Sequence, residues 1–358
     1  MIALRLHGRQ DLRVEDLPGP LPPGPGDALI CVTAAGICGS DLHTYHDGRI
    51  GDTVVTSPIV LGHEFAGVVE QCAVGATDGV GRPLAPGIRV AVDPATACGH
   101  CEMCVRGDPH LCKDLRFCGH YPVHGCFLEK MLIPARNCFP LPDGVSDEVG
   151  ALLEPLGVAI HALRLAQVSP ADRVAVFGAG PIGLMILQLL MKTGVKSVFA
   201  VEPLPWRNKA ARLTGATTTE ETGDAGVREI LGSTQGRGVD VAIEGAWGGA
   251  TIQDAANVCR PGGRIVLVGI PGDDTMRLQH STGRRKELSL VFSRRMKHTY
   301  PEALRLVMEG IIHLQGLITH RFPLEEGPRA FRLNAAYEEG VVKTILVPPG
   351  RYHDVLRT

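Results

Sequence analysis

Short runs of apolar residues, separated by glycine and proline, dominate the first 150 residues of the chain. Runs of this length between turn residues are typical of β-strands. Turn-rich connections between such strands can carry functional side chains on loops. The pattern predicts a β-rich domain with strands at ALICVTAAG (28–36), FAGVVEQCA (65–73), RVAVDP (89–94) and FLEKMLIP (127–134).

From about Gly157 the pattern changes to apolar strands that alternate with helical segments. Alternation of this kind specifies a parallel sheet covered by helices on both faces. The predicted strands are RVAVFG (173–178), SVFAVE (197–202), VDVAIEG (239–245), RIVLVGI (264–270) and LSLVFS (288–293), with helical segments at 184–192, 207–213 and 250–258. After Tyr300, an amphipathic helix (301–310) and a last strand, VVKTILVP (341–348), show no such repeat, so we expect this tail to return to the first domain.

A glycine triplet follows the first strand of this second region. Gly178, Gly180 and Gly183 have the spacing G-x-G-x-x-G between a predicted strand and a predicted helix. Such glycines permit a tight turn and a close approach of the backbone to a pyrophosphate at a helix N-terminus. The next strand ends at Glu202, within about the twenty-residue interval expected for the acidic residue that binds the adenosine ribose. The motif predicts a dinucleotide site, and Glu202 favours NAD over NADP because it would repel a 2′-phosphate.

A second motif concentrates four cysteines between residues 98 and 112. Four thiolates from one loop match a closed tetrahedral zinc site, which leaves no coordination position for a substrate. We therefore predict a structural zinc lobe at about 95–115, with the ligands Cys98, Cys101, Cys104 and Cys112.

A second set of metal-binding residue types is scattered along the chain. Cys38 stands in CGSDLH, His63 and Glu64 in GHEFAG, and Glu154 in LLEPLG. Cysteine, histidine and carboxylate together suit zinc with one open position for water or substrate. The competing interpretation is that each Cys or His is a packed core residue. The adjacent pair His63 and Glu64 argues for a site, because two polar groups after the apolar run PIVLG need partners if they are buried.

Composition narrows the classes of function. The chain has 358 residues, enough for two domains, and a formal net charge of −2 without a dense basic stripe. This excludes nucleic acid and an anionic membrane surface as main partners. No stretch approaches the length of a membrane span, and the charged start does not match a signal peptide, so we expect a cytoplasmic protein. Eleven cysteines in that setting indicate reduced thiols and metal ligands.

These motifs, in this order, resemble the zinc-dependent medium-chain dehydrogenases, and among them the polyol dehydrogenases. The likeness to the polyol branch rests on Glu64 after His63 and on EPL (154–156), GRIG (48–51) and THRFPLEE (319–326). The resemblance implies an α/β fold with two domains. A GroES-like β-rich catalytic domain would comprise 1–156 and 295–358, and a doubly wound parallel Rossmann domain that binds NAD would comprise 157–294.

The resemblance also assigns roles to individual residues. Cys38, His63 and Glu64 would bind the catalytic zinc, with Glu154 acting on the water of that zinc or as a ligand itself. Ser40 would take the substrate proton and His43 would be the outer relay, although a helix N-cap and a surface residue are the alternatives for these two. The implied substrate contacts are Thr44, Tyr45, Phe117 and Arg295. The implied cofactor contacts are Gly178, Gly180, Ile182, Gly183, Glu202, Arg207, Val268 and Ile270.

The enzyme implied by this resemblance uses NAD and two zinc ions per chain. It would interconvert a polyhydroxylated secondary alcohol, either a sugar alcohol or a cyclic polyol, and its ketone by hydride transfer, as a homotetramer or homodimer. Thr44 and Met296 stand where sorbitol dehydrogenases have tyrosines, and VEPLPWR (201–207) and IPARN (133–137) resemble threonine dehydrogenases. An L-threonine 3-dehydrogenase-like or butanediol-type enzyme therefore remains an alternative. A zinc hydrolase with Glu64 or Glu154 as base, and a silent NAD-binding protein, are alternatives from other classes.

Overall fold

The chain forms two compact units. The computed structural model describes residues 1–246, 248, 250–272 and 274–349. The first unit comprises Met1–Pro155, Tyr300–Met308 and the described residues from His313 onward, and the second comprises the described residues of Leu156–Thr299 and Glu309–Ile312. Residues 350–358 of the predicted catalytic domain lie outside the described residues.

Strands dominate the first 140 residues, and the longest helices follow residue 152. The strands are β1 Ile2–Gly8, β2 Asp11–Asp16, β3 Asp27–Gly36, β4 Arg49–Ile50, β5 Thr53–Val54, β6 Ile59–Val60, β7 Glu64–Cys72, β8 Arg89–Val92, β9 Ala95–Thr96, β10 Arg116–Phe117, β11 Lys130–Pro134, β12 Cys138–Pro140, β13 Arg173–Phe177, β14 Ser197–Val201, β15 Thr217–Thr219, β16 Val239–Glu244, β17 Cys259–Leu267, β18 Ser289–Phe292, β19 Ile318–Pro323 and β20 Lys343–Val347. The helices are α1 Gly39–Asp47, α2 Glu102–Val105, α3 Asp147–Ala151, α4 Leu153–Ala166, α5 Pro181–Thr193, α6 Pro205–Leu213, α7 Gly223–Ser233, α8 Thr251–Val258, α9 His280–Lys286, α10 Tyr300–Met308 and α11 Gly327–Ala335. Short 3₁₀ helices lie at Pro109–Leu111, Ala135–Asn137, Gln315–Leu317 and Leu324–Glu326.

A seven-stranded sheet forms the core of the first unit. Six strands follow the order β12-β8-β7-β3-β20-β19, and β11 also pairs with β3. The central strand β3 is almost entirely buried, as its apolar sequence predicts. The tail strand β20 pairs with β3 where Ile345 lies opposite Gly36. This pairing places Ile345 beside the segment that precedes Cys38, although Ile345 and Gly36 are 309 positions apart in the sequence.

An N-terminal hairpin adds a smaller sheet, which the sequence patterns did not predict. Strands β1 and β2 pair antiparallel, and β6 pairs with β1. Leu4 and Leu6 are fully buried, whereas the alternate residues Arg5 and His7 are only partly buried. The charged residues of this segment therefore lie on the outer face of a strand with period two.

A six-stranded parallel sheet forms the core of the second unit. Its order is β15-β14-β13-β16-β17-β18, and every pair of neighbours is parallel. This is the doubly wound order in which the chain winds outward from β13 in both directions. The predicted fold class, a GroES-like domain with a Rossmann domain, is confirmed.

Helix starts in the second unit lie earlier than the apolar pattern predicts. The segments predicted at 184–192 and 207–213 begin at Pro181 and Pro205. Proline suits the first turn of a helix because its fixed φ is helical and its missing N–H is not needed there. The sequence patterns did not predict α1, α2, α3, α4, α7, α9 and α11. Helix α4 contains Pro155 in its first turn, where proline is tolerated for the same reason. Within the described part of the chain, each helix is too short or too polar to cross a lipid bilayer.

Candidate metal centres and nucleotide site

The four cysteines of the predicted lobe form a compact cluster of sulfur atoms. The Sγ–Sγ separations are 3.5 Å for Cys98 and Cys112, 3.5 Å for Cys101 and Cys104, 3.8 Å for Cys101 and Cys112, and 3.9 Å for Cys98 and Cys104. A tetrahedron with Zn–S bonds of about 2.3 Å has its sulfurs about 3.8 Å apart. The lobe therefore fits one zinc ion held by four thiolates.

Three of the four scattered candidates also converge. A donor atom of Cys38, one of His63 and one of Glu64 all lie within 4.8 Å of one another. Cys38 precedes helix α1, and His63 and Glu64 stand at the start of β7. His63 is 6% exposed and Glu64 is 1% exposed. This mixed sulfur, nitrogen and oxygen set fits a divalent zinc ion and differs from the all-sulfur lobe.

Asp41 supports this cluster from the helix side, and the sequence patterns missed it. Its carboxylate accepts hydrogen bonds from the backbone N–H of Cys38 (3.0 Å) and of Gly62 (3.1 Å). Its Oδ1 lies 3.5 Å from Nδ1 of His63, whose Nε2 lies 3.4 Å from Oγ of Ser40. A carboxylate at one imidazole nitrogen fixes the tautomer that leaves the other nitrogen free to bind metal. The available signal in the sequence was an aspartate three residues after Cys38, which is the spacing of a helix capping box.

The surroundings of the cluster carry several buried charges. Burial acts to lower the pKa of His63, but the charges of Asp41 and Cys38 outweigh it and raise that pKa well above its usual range. The negative charge that favours the protonated imidazole would also stabilise a bound cation at this place.

Lys343 is the second residue that the patterns missed. It is 2% exposed, forms an ion pair with Glu64, and donates a hydrogen bond from Nζ to the carbonyl of Ile37 (2.9 Å). Burial opposes the charge of Lys343, but Glu64 and Cys38 raise its pKa. A lysine inside the apolar strand KTILV needs a buried counter-charge, and this was the signal for it in the sequence.

Glu154 lies in the same electrostatic environment. It is 4% exposed at the start of α4. Burial raises its pKa to about 7, and the charges of Glu64 and Asp93 act in the same direction while His63 opposes them. A carboxyl of this kind holds or releases a proton near neutral pH.

Helix α1 presents one face to a small cavity beside His63. The cavity is lined by Ser40, Asp41, Thr44, Ile50, His63, Phe117, Gly119 and His120. Ser40 and Thr44 share this face because they are four positions apart, and the Thr44 hydroxyl donates to the carbonyl of Ser40 (3.0 Å). Ser40 is not the helix N-cap, since Cys38 occupies that position.

The structure places Tyr45 differently from the expected substrate contact. Tyr45 is not among the residues that line this cavity, and its ring packs edge-on against Phe331 at 5.4 Å. One residue along a helix turns the side chain by about 100°, so Tyr45 points away from the face of Thr44. Phe117 does line the cavity, with its ring 5.2 Å from that of His63. His43 is buried rather than exposed, and its Nδ1 lies 3.9 Å from a carboxylate oxygen of Asp47.

The glycine motif of the second unit forms the expected tight turn. Gly178 has φ of +89°, a conformation that favours glycine. A Cβ at Gly183 would collide with the carbonyl oxygen of Gly178, so helix α5 approaches the turn more closely than another residue would allow. Gly180 caps the N-terminus of α5. The turn, the close approach and the helix N-terminus fit a dinucleotide pyrophosphate.

Glu202 lies directly behind this turn. Its Oε2 accepts a hydrogen bond from the backbone N–H of Ala179 (2.7 Å), and its Oε1 accepts one from Leu204 (2.9 Å). Two ionised oxygens offer about four acceptor positions, so capacity remains for a ribose hydroxyl. Arg207 lies beside the same turn, with Nη1 3.5 Å from the position that a Cβ of Gly180 would take.

The remaining candidates lie elsewhere in the second unit. Ile182 stands in the first turn of α5, and Val268 follows β17 and donates from its backbone to the carbonyl of Glu244 (2.8 Å). Ile270 is 41% exposed. Arg295 follows β18 at a positive φ of +56°.

Comparison with known proteins gives matches over nearly the whole chain. Two family models match, described as the alcohol dehydrogenase GroES-like domain (residues 24–143) and as zinc-binding dehydrogenase (residues 181–309). Sorbitol dehydrogenase of Bacillus subtilis is 35% identical over 97% of both chains. L-Idonate 5-dehydrogenase of Vitis vinifera is 35% identical over 85% of this chain and 82% of its own. The crystal structure of 2R,3R-butanediol dehydrogenase from Bacillus subtilis matches with a TM-score of 0.84 and 32% identity, over 97% of this chain and 99% of that one.

Proposed function

This chain belongs to the zinc-dependent medium-chain dehydrogenases, which act on alcohol CH–OH groups with NAD(P), and we propose that it oxidises a secondary hydroxyl group of a sugar alcohol or cyclic polyol to the ketone with NAD. The observation that carries the proposal is the convergence of Cys38, His63 and Glu64 within 4.8 Å beside the hydroxyl of Ser40. A closed structural site would offer no hydroxyl and no cavity at that point.

Two zinc ions per chain are proposed, one in each cluster. Cys98, Cys101, Cys104 and Cys112 would hold the first, and Cys38, His63 and Glu64 the second, with Glu154 close by. Zinc at the second site supplies Lewis acidity that lowers the pKa of an alcohol, and NAD accepts the hydride. The charge balance of the second site is set by this chain, because Lys343 neutralises part of the charge of Glu64.

Ser40 and His43 move the substrate proton in this proposal. Ser40 lies on the cavity face of α1, so its hydroxyl can accept a proton from the reacting carbinol while it releases its own proton onward towards His43. His43, three residues further along the same helix, is buried next to Asp47, whose carboxylate can stabilise the protonated imidazole. Glu154, with a pKa of about 7, is a further group that can hold a proton in this environment.

NAD is the proposed cofactor in preference to NADP. The glycine turn fits a dinucleotide, and Glu202 places a carboxylate next to it. A carboxylate can accept bonds from two ribose hydroxyls but repels a 2′-phosphate. Gly178, Gly180, Ile182, Gly183, Glu202, Arg207, Val268 and Ile270 are the proposed cofactor contacts.

A polyhydroxylated substrate is supported by the cavity and by the relatives. The cavity wall mixes the hydroxyls of Ser40 and Thr44 with the ring of Phe117. The two curated relatives reported above are named for sorbitol and L-idonate, both chains of hydroxylated carbons. Arg295 is the proposed donor of further hydrogen bonds to substrate hydroxyls.

We also propose that the protein forms a homotetramer or homodimer and that it is located in the cytoplasm. Phe292 on the sheet-edge strand β18 is 66% exposed, and a large apolar side chain on an unpaired edge favours association. None of the eleven cysteines is paired in a disulfide, which suits a reducing compartment.

A substrate panel tests the proposal. The purified protein is incubated with NAD or NADP and with sorbitol, xylitol, a cyclic polyol, 2,3-butanediol, 2-propanol or L-threonine, and the absorbance of the reduced cofactor is followed. We expect reduction of NAD with at least one polyol, at a kcat/KM at least tenfold above that of 2-propanol. A preference for 2,3-butanediol or L-threonine over every polyol would overturn the substrate class, and reduction of neither cofactor would overturn the activity.

A further inference from the structure

A buried carboxyl group in the second unit has no part in the site described above. Glu244 is the last residue of β16 and is 3% exposed. Glutamate is seldom buried to this extent unless it is paired. The hydrogen bonds of its side chain come from neutral donors, so Glu244 resembles neither a surface charge nor half of a buried ion pair.

The donors to Glu244 come from two segments of the chain. Oε1 accepts a hydrogen bond from the backbone N–H of Ala246 (3.0 Å) and one from the hydroxyl of Thr251 (2.7 Å), the first residue of α8. The backbone N–H of Gly269 donates to the main-chain carbonyl of Glu244 (3.0 Å), and a Cβ at Gly269 would lie only 2.6 Å from Oε2. The carboxylate therefore anchors Ala246 and the start of α8 by hydrogen bonds, and it packs closely against Gly269.

The glycine turn lies against the same segment. Gly245 donates from its backbone to the carbonyl of Phe177 at the end of β13 (2.9 Å). A Cβ at Gly178 would approach the backbone of Ala246 to 3.1 Å, so the turn packs directly on the segment that Glu244 anchors. Strands β13, β16 and β17 are neighbours, and dinucleotides bind at the carboxyl edge of such strands.

The charge of Glu244 is costly to keep at this place. Burial raises its pKa to about 7, although the hydrogen bonds from Thr251 and Ala246 act in the opposite direction. A glutamine of the same shape would avoid this cost, because its amide oxygen could accept the same two bonds without a charge. Groups that are costly for folding are concentrated at sites where they serve function.

We infer that Glu244 is a positioning residue of the nucleotide site, where its carboxylate fixes Ala246 and the start of α8 against the glycine turn at Gly178. The inference rests on the proposed dinucleotide binding and not on the proposed substrate. Loss of the carboxylate frees Ala246 and Thr251, and the turn then loses the backbone on which it packs. The consequence is weaker binding of the nicotinamide dinucleotide, with chemistry at saturating cofactor much less affected.

A comparison of carboxylates on the same strand tests this role. Asp240 is also buried on β16, but it stands four residues earlier, where it pairs with Arg237 and Arg260. Glu244→Ala, Glu244→Gln and the control Asp240→Asn are compared with the unaltered protein. The dissociation constants of NADH and of NADPH are measured from the change in cofactor fluorescence, and the melting temperature is recorded for each variant.

We expect Glu244→Ala to raise the Kd of the preferred cofactor at least tenfold, and Glu244→Gln to raise it less because the amide oxygen still accepts from Ala246. Asp240→Asn should lower the melting temperature and leave that Kd within twofold. Thr251→Val removes one donor to the carboxylate without changing the backbone, and we expect it to raise the Kd of the cofactor about threefold. This variant provides the test if Glu244→Ala does not fold. Since both cofactors are titrated and no alcohol is present, these results do not depend on the substrate class or on the preference for NAD.

The inference is overturned if folded Glu244→Ala binds its cofactor within twofold of the unaltered protein. It is equally overturned if Asp240→Asn weakens binding as much as Glu244→Ala does, because the effect would then be one of general stability. If Glu244→Ala does not fold, unchanged binding by both Glu244→Gln and Thr251→Val has the same meaning.

Discussion

Arg295 is the single side chain that we expect to separate polyols from simple alcohols. Its guanidinium carries a fixed fork of donors, which can bind vicinal hydroxyls but gains nothing from an aliphatic alcohol. Arg295→Ala should lower kcat/KM for the polyol by about 1.5–3 kcal/mol, the scale of hydrogen bonds to a charged group. The rate with 2-propanol and the affinity for NADH should hardly change.

Arg294 provides the matched control for this prediction, because it is exposed and adjacent in sequence. Arg294→Ala should leave the ratio of polyol to 2-propanol activity as it is. A variant at Arg295 that lost NADH affinity but kept that ratio would assign the residue to the cofactor and not to the substrate.

Glu202 should decide between NAD and NADP. In Glu202→Ser the 2′-phosphate of NADP loses a like-charged neighbour while Arg207 stays beside the turn, so the preference for NAD should fall at least tenfold. Glu202→Gln is the control for the turn itself, because its amide oxygen can still accept from Ala179. The kcat/KM ratio for the two cofactors measures the effect, and equal turnover of NAD and NADP by the unaltered protein would contradict this role.

At the residue scale, the chemistry of the ligands was visible in the sequence but their supporting contacts were not. The residue types and spacing of Cys38, His63 and Glu64 suggest metal binding without any knowledge of the fold. The pairing of Glu64 with Lys343 depends on β20 lying next to β3, which a linear pattern does not encode. Tyr45 shows the same limit, because the direction of its side chain follows from the rotation per residue of helix α1 and not from its position next to Thr44 in the sequence.

At the element scale, the cysteine lobe is a small unit held by its own ligands. Helix α2 has four residues and no buried side chain, so the proposed zinc ion would provide most of the stability of this segment. Cys101→Ser leaves three thiolates, which cannot close the tetrahedron. We expect the loss of one zinc per chain and a fall of several degrees in the melting temperature.

Cys72→Ser is the matched control for the lobe, because Cys72 is a partly buried free thiol that donates to the carbonyl of Leu84 and belongs to neither cluster. It should keep the zinc content of the unaltered protein. A Cys101→Ser variant that retained full thermal stability and two zinc ions would show that the lobe is not a structural zinc site.

Strands and helices were predicted best where charged residues or proline did not interrupt the pattern of apolar positions. The apolar strands of the parallel sheet stand out because they are buried on both faces, whereas the N-terminal hairpin carries charges on alternate positions. Strand β17 starts five residues before the predicted Arg264 because Cys259 also pairs with Val239 of β16, ahead of a register shift. Helix α4 was not predicted because Pro155 interrupts the helical pattern, although this proline stands in the first turn of the helix, where it is tolerated.

At the scale of the whole molecule, the change of pattern near residue 157 predicted the fold class, because βα alternation has few other outcomes. No single segment specifies the order of the parallel strands, and the handedness of crossover connections only limits the possible orders. The strand order of the first sheet joins β20 to β3, and no local pattern carries that information.

The zinc content and cofactor reduction of Cys38→Ser test the central claim most directly. Cys38 belongs to the mixed cluster, so its loss should remove one of two zinc ions and leave the lobe intact. Without the Lewis acid, NAD reduction with the best polyol should fall by a factor of about 1,000 or more, while NADH still binds with unchanged affinity. A Cys38→Ser protein that kept two zinc ions and oxidised the polyol at the unaltered rate would contradict zinc-dependent hydride transfer at this site.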